Sequence, residues 1–153
     1  SQSWGDPSHP AGVAAGKRPR LTPNPAMALK GGRPYLVFGS PGADVQVQAM
    51  AQTFLNITHF AMGVQEALEA PRFATFSFPA TFAPHNYFPG RLNLESRFPD
   101  AVGEALSAMG HKIEWWPELT WRAGAVCAIK RDDDTGLLHA GADPRRMCYA
   151  LAW

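Results

Sequence analysis

The sequence predicts an α+β domain, with helices packed on a mostly antiparallel sheet. Three observations lead there. The apolar runs are short and strand-length, and several are joined by tight turns. Helical periodicity recurs in only three segments. Hydrophobic residues make up 46% of the 153-residue chain, enough for a core in one domain or a large piece of one.

Residues 1–25 are rich in Pro, Gly, Ser and Ala and show no period, so they read as an extended arm. Residues 26–153 hold the structured portion. Ala26–Leu29 and Tyr35–Phe38 flank Lys30-Gly31-Gly32-Arg33-Pro34 and read as a hairpin turning on the two glycines. A helix follows, with Val47, Met50, Ala51, Phe54 and Thr58 on one face, Asp44 as N-cap and Gly63 as stop. Gln65–Ala70 reads as a short helix ended by Pro71. Phe73–Gly90, dense in Phe and Pro, reads as a loop that packs through its rings.

Leu92–Glu95 reads as a strand. Pro99–Met109 reads as a helix burying Val102, Leu106 and Met109, with Gly110 after its end. Lys112–Trp116 is a further strand, and the neighbouring Trp115, Trp116 and Trp121 read as core packing. Gly124–Lys130 and Leu137–Ala140 form a hairpin around Asp132-Asp133-Asp134-Thr135-Gly136, a solvated turn.

A formal net charge of +1 argues against a nucleic-acid or polybasic membrane surface. Lys17, Arg18 and Arg20 are a short cluster that reads as a solvated loop. No apolar run is long enough to span a bilayer. Cys127 and Cys148 are far apart in sequence, without metal-type spacing, and the histidines show none either.

The stretch Phe38-Gly39-Ser40-Pro41-Gly42-Ala43-Asp44 carries the most chemical information. A strand ends in a glycine-rich turn and a helix begins at once. Backbone N–H groups at such a junction can hold a carboxylate, a phosphate or a developing oxyanion. The same residues also suit a plain tight turn that needs glycine for its φ angles, and the turn alone does not choose.

Four segments in order, GKRPRLTPNPAM (16–27), VFGSPGADVQVQ (37–48), EALEAPRF (66–73) and HAGADPRR (139–146), resemble the small subunit of the γ-glutamyltransferase family. The resemblance covers the chain after about Asp6, and Asp6–Pro10 resembles the bacterial branch. It implies a partial N-terminal-nucleophile αββα sandwich. It implies that the backbone N–H groups of Gly42 and Ala43 form an oxyanion hole. Ala43 stands where the family has a second glycine, which the donor survives if the turn needs no positive φ there.

Thr22 and Leu21 match the family's pair of serines that hold the γ-glutamyl group. Leu21 brings no hydroxyl, and Thr22 also suits a plain pre-proline turn. Arg72 and Arg145 match segments read as structural, with buried ion pairs. The implied chemistry is cleavage of glutathione-like γ-glutamyl amides through an acyl-enzyme, then transfer to water or an amine. Leu21 leaves room for another acyl group, as in the related cephalosporin acylases, or for a non-catalytic, partner-binding remnant.

The implied nucleophile is a threonine exposed by autoproteolysis and lies outside this chain. Ser1 is not assigned that role, because only the irregular arm separates it from Lys17. The expected partners are the large subunit, the upstream part of the small subunit and a small-molecule amide. No cofactor or metal is expected. Either the bacterial periplasm or the cytoplasm suits the resemblance.

Overall fold

In the computed structural model, which describes residues 2–153, the first hairpin forms as expected. β1 (Ala26–Lys30) and β2 (Arg33–Gly39) turn on Gly31 and Gly32, both at positive φ. β2 pairs with β6 (Cys127–Arg131), and β6 with β7 (Leu138–Ala142). The result is an antiparallel sheet in the order β1-β2-β6-β7.

Alternation along its strands separates two faces. Leu36 and Ala128 point into the core with Val126. On the other face Met27, Val37, Ile129 and Ala140 stand in register across all four strands, with Met27 59% and Ile129 46% exposed.

Two helices, α1 (Gln46–Thr58) and α2 (Val64–Glu69), cover the core face. Gly141 of β7 lets α2 approach, since a Cβ there would meet Leu68 Cδ1 at 2.8 Å. The inward face of α1 is not the expected one. Gln46, Ala49, Met50, Thr53 and Ile57 are buried, while Val47 is 60% exposed. Val47, Ala51 and Phe54 instead line an open groove with Met27, Ala28 and Phe38, of about 400 Å³. Periodicity locates an apolar stripe but not which neighbour takes it, and α1 has one on each side. Gly63 does not stop α1, which ends at Thr58; it is the N-cap of α2.

The second sheet joins β3 (Phe73–Thr75), β4 (Arg91–Glu95) and β5 (Lys112–Trp116). β4 and β5 run parallel, connected by α3 (Asp100–Ala108). The expected loop 73–90 therefore begins as a strand. Its rings do pack: Phe76 lies edge-on to Trp116, and the Arg91 guanidinium sits over Phe76 and Phe88.

Helix α3 differs from expectation. Gly103 is its buried residue, because a Cβ there would meet Trp115 Cζ2 at 2.5 Å, whereas Val102 and Met109 are exposed. The close approach of a ring, not the apolar spacing, sets its orientation. Of the three tryptophans read as core, Trp116 is buried, Trp115 meets α3, and Trp121 is exposed beneath the Arg146 guanidinium.

α1 also closes the free edge of β3. Gln48 donates to the Thr75 carbonyl at 3.2 Å and accepts its N–H at 2.8 Å. Gln52, one turn on, does the same for Phe73 at 2.9 and 3.1 Å. Two carboxamides thus imitate a neighbouring strand and satisfy an edge that would otherwise be open.

A buried charged cluster ties the sheets together. Arg145 grips Glu95 through Nε at 2.7 Å and a terminal nitrogen at 2.5 Å, and Arg72 pairs with Asp143 at 2.6 Å. Both guanidiniums donate to the Leu68 carbonyl at the end of α2, at 3.0 Å from Arg72 and 2.8 Å from Arg145. Asp143 accepts the Val126 N–H at 2.9 Å, and Glu95 accepts the Arg72 N–H at 2.9 Å. Burial pulls the Arg72 guanidinium below its ordinary value, against the pull of Asp143. Burial also opposes the charge on Arg145, but the Glu95 and Asp143 carboxylates outweigh it and hold Arg145 above its ordinary value.

Candidate functional site

The turn between β2 and α1 is built by three close approaches. Ser40 Oγ donates to the Pro41 carbonyl at 2.7 Å and accepts the Ala125 N–H at 3.0 Å. Gly124, at φ 79°, lies against it, where a Cβ would meet that Oγ at 2.9 Å. Gly42 has φ 131° and a Cβ there would come within 3.3 Å of Gly124 Cα. The chain then makes one 3₁₀ turn, Ala43–Val45, before α1 begins.

Ala43 sits at φ 51°, so this turn does demand a positive φ at the position where the family carries glycine. An L-residue there costs about 1–2 kcal/mol. Among the described residues, no acceptor takes the N–H of Gly42 or of Ala43. Strained backbone with unspent donors is a common state of functional turns.

Asp44 is not the N-cap of α1. Its carboxylate turns to Thr81, accepting the backbone N–H at 2.7 Å and the hydroxyl in a short hydrogen bond. The Thr81 hydroxyl in turn accepts from Arg20 at 2.9 Å. Arg20, Thr81 and Asp44 thus latch the arm, the Phe-rich loop and the turn together. Thr81 is buried, and the sequence offered no signal for it: a threonine in a loop has no period and no motif.

Leu21, Thr22, Ala43, Asp44 and Phe78 line one cleft of about 320 Å³, with Arg20 at its wall. The fold therefore brings together three of the four residues that the resemblance singled out, from two separate segments, and Gly42 adjoins them. Thr22 Oγ1 accepts from the Gln2 carboxamide at 3.2 Å. Leu21 is exposed in the cleft.

The arm is pinned nearby by Trp4, which stacks on His9 at 4.2 Å and on His85 at 3.9 Å between ring centroids. Ser1 lies outside the described residues.

Among the described residues no three His, Cys, Asp or Glu side chains converge on a point that could hold a metal, and no helix is long and apolar enough to cross a membrane. Cys127 and Cys148, distant in sequence, are free thiols that the fold brings into contact; burial and the Cys127 thiol push Cys148 up.

The α+β arrangement, sheets with helices packed on them, is shared with solved N-terminal nucleophile hydrolases. The structure of a cephalosporin acylase from Bacillus halodurans superposes with a TM-score of 0.85 and 30% identity, covering 99% of this chain and 26% of that one. The chain belongs to the γ-glutamyltranspeptidase family: the profile described as Gamma-glutamyltranspeptidase matches residues 1–153.

Among curated relatives, the Acylase ACY 1 proenzyme of Pseudomonas sp. (strain SE83) is 36% identical, over 88% of this chain and 21% of that protein. The Glutathione hydrolase proenzyme of Escherichia coli (strain K12) is 30% identical, over 88% and 21%. The chain thus spans about a fifth of the length of these relatives.

Proposed function

We propose that this chain is the C-terminal part of the small subunit of an amide-cleaving acyltransferase or hydrolase. In this reading the N–H groups of Gly42 and Ala43 receive the oxyanion, and Thr22 and Leu21 border the acyl group. The observation that carries it is the turn itself: two backbone donors, without an acceptor among the described residues, lie beside a cleft that also contains Leu21 and Thr22.

The nucleophile comes from outside this chain, as an N-terminal threonine released when a precursor cuts itself. Its hydroxyl attacks the amide carbonyl, and its own α-amine takes the proton. The carbonyl oxygen gains charge as the tetrahedral intermediate forms, and two fixed donors aimed there lower the barrier by several kcal/mol, about 3 for a single donor. The amine leaves, an acyl-enzyme remains, and water or an acceptor amine releases the acyl group. The bare sheet face of Met27, Val37 and Ile129 is where the rest of the sandwich packs, including the large subunit.

Glutathione-like γ-glutamyl amides are one substrate class, in line with the glutathione hydrolase relative. Leu21 favours a second: an amidase for another acyl group, in line with the acylases. A leucine in place of a serine removes a hydrogen-bond partner that a polar acyl group needs.

The test uses the full-length precursor, purified after self-cleavage. Intact mass and N-terminal sequencing should show two chains, one opening on threonine and containing residues 1–153. That sample should release p-nitroaniline from a γ-glutamyl or a glutaryl anilide. An assembled protein with every chain present that turns over neither is a non-catalytic remnant, and this reading is then wrong.

A further inference from the structure

We propose that Cys127 and Cys148 form a thiol–disulfide site, whose oxidation fastens the C-terminal tail to the first sheet. The site is separate from the amide-cleaving chemistry and does not rest on it. The chain has two cysteines, one at the start of β6 and one beyond the end of β7. Both are free thiols, and each lies within hydrogen-bonding reach of the other.

The fold sets this meeting. In register, Cys127 lies between Gly39 of β2 and Ala142 of β7. Directly opposed residues of antiparallel strands share a face, and neither neighbour has a side chain large enough to cover the sulfur. After Ala142 the chain turns back. Asp143 accepts the Val126 N–H at 2.9 Å and the Arg145 N–H at 3.0 Å. Arg145 is itself held by Glu95 at 2.7 Å. The return is thus pinned to the residue before Cys127 and again just ahead of Cys148. Met147 and Tyr149 are exposed, while Cys148 between them is half-buried and meets Cys127. Tyr149 and Leu151 then border a cleft of about 240 Å³ that Cys127 also lines.

Exposure decides the order of events. Cys127 is exposed and opens on the cleft. Burial, and after it the hydrogen bond with Cys127, holds the Cys148 thiol above its ordinary value. The thiolate is the attacking species, so Cys127 meets an incoming oxidant first. Its thiolate attacks one sulfur of a small-molecule disulfide such as oxidised glutathione, and the other sulfur leaves as a thiolate. Cys148 then gives its proton to water, attacks the Cys127 sulfur of the mixed disulfide and expels the second thiolate. Two protein thiols are oxidised, and one external disulfide is reduced to two thiols. An excess of small thiol reverses both exchanges. The bond therefore persists in an oxidising compartment and opens in a reducing one.

The experiment equilibrates the full-length protein with mixtures of oxidised and reduced glutathione, quenches in acid and maps the peptides by mass. Cys127 should be found joined to Cys148, in a fraction that rises with the oxidised share, and excess dithiothreitol should restore both thiols. Cys127→Ser and Cys148→Ser should each stop at a mixed disulfide with glutathione. The cap on Cys148 should form about tenfold more slowly than the cap on Cys127. Hydrogen exchange reads the fastening. Amides of residues 147–151 should exchange about tenfold more slowly in the oxidised wild type than in the reduced one, and Cys148→Ser should show no such change.

If the wild type carries only glutathione caps, or no modification at these sulfurs, the proposal is wrong. A linked pair with unchanged exchange in the tail would overturn the fastening. A protein that forms the linked pair with its slowed exchange but cleaves no amide leaves this proposal standing while the catalytic reading fails.

Discussion

Arg145 and Glu95, fifty residues apart in the chain, form a two-pronged pair with both side chains fully buried. Each also serves backbone groups of other elements, so neither charge is left to itself. Removing one partner strands the other. Glu95→Gln or Arg145→Met should each cost about 3–5 kcal/mol in denaturant unfolding of the assembled protein. Replacing the pair together, as Glu95→Leu with Arg145→Met, should cost less than the two single changes added. Strict additivity would show that the two residues are not coupled.

Ala43 holds a left-handed conformation that its methyl group resists. Ala43→Gly removes a strain of about 1–2 kcal/mol but gains about 0.4–1 kcal/mol of unfolded-chain entropy. The net expectation is about 0.5–1 kcal/mol of added stability, read from a chemical denaturation curve. Turnover should survive, since the N–H remains. A loss of stability would show that the turn does not hold this φ.

Gln48 and Gln52 replace a missing strand at the edge of β3. Leucine at either position keeps the size and removes both hydrogen bonds. Each change should cost about 1–3 kcal/mol through unsatisfied backbone groups. Hydrogen exchange supplies the specific signature: the Thr75 amide should lose protection in Gln48→Leu and the Phe73 amide in Gln52→Leu. Equal protection in both variants would refute the edge-capping role.

Lys30 and Asp133 bridge the two hairpins of the first sheet at 2.7 Å. The hydrogen bond between them lowers Asp133 and raises Lys30 from their ordinary values. A lowered carboxylate stabilises the fold above its unfolded value, about 3.9, and loses that contribution as pH falls through its folded one. A raised amine contributes fully below about 10.4 and loses its share as pH rises through its folded value. The stability difference between wild type and Asp133→Asn should therefore be flat from about pH 5 to 9 and vanish in acid. Added salt should shrink it, because both groups reach solvent. A difference that grew in acid would reverse the assignment.

Much of this protein was legible before any coordinates. Gly31-Gly32 and the Asp-rich turn announced their hairpins, because turn chemistry is local: glycine supplies positive φ, and Asp132 Oδ1 accepts the N–H groups of Asp134 and Thr135 at 3.1 and 2.7 Å. The family was legible in four short segments, and Arg72 and Arg145 were read as buried ion pairs, which they are. Glu95 was missed, because a strand-ending glutamate carries no mark that its partner lies fifty residues away.

The sequence by itself determined the local geometry and the family, because turns, caps and motifs depend on neighbours in the chain. Only the tertiary structure decided which side of each helix is inside. α1 carries apolar residues on two flanks, and the position of the sheet selects one. α3 turns its glycine inward because Trp115 leaves room for nothing larger. Asp44 serves Thr81 rather than its own helix, since the N–H and hydroxyl of the buried Thr81 need an acceptor more than the solvent-facing start of a 3₁₀ turn does. That same choice leaves Arg20, at the wall of the cleft, donating to the neutral Thr81 hydroxyl and in no ion pair among the described residues. Charge balance at a site is a sum over segments distant in sequence, and only folding performs it.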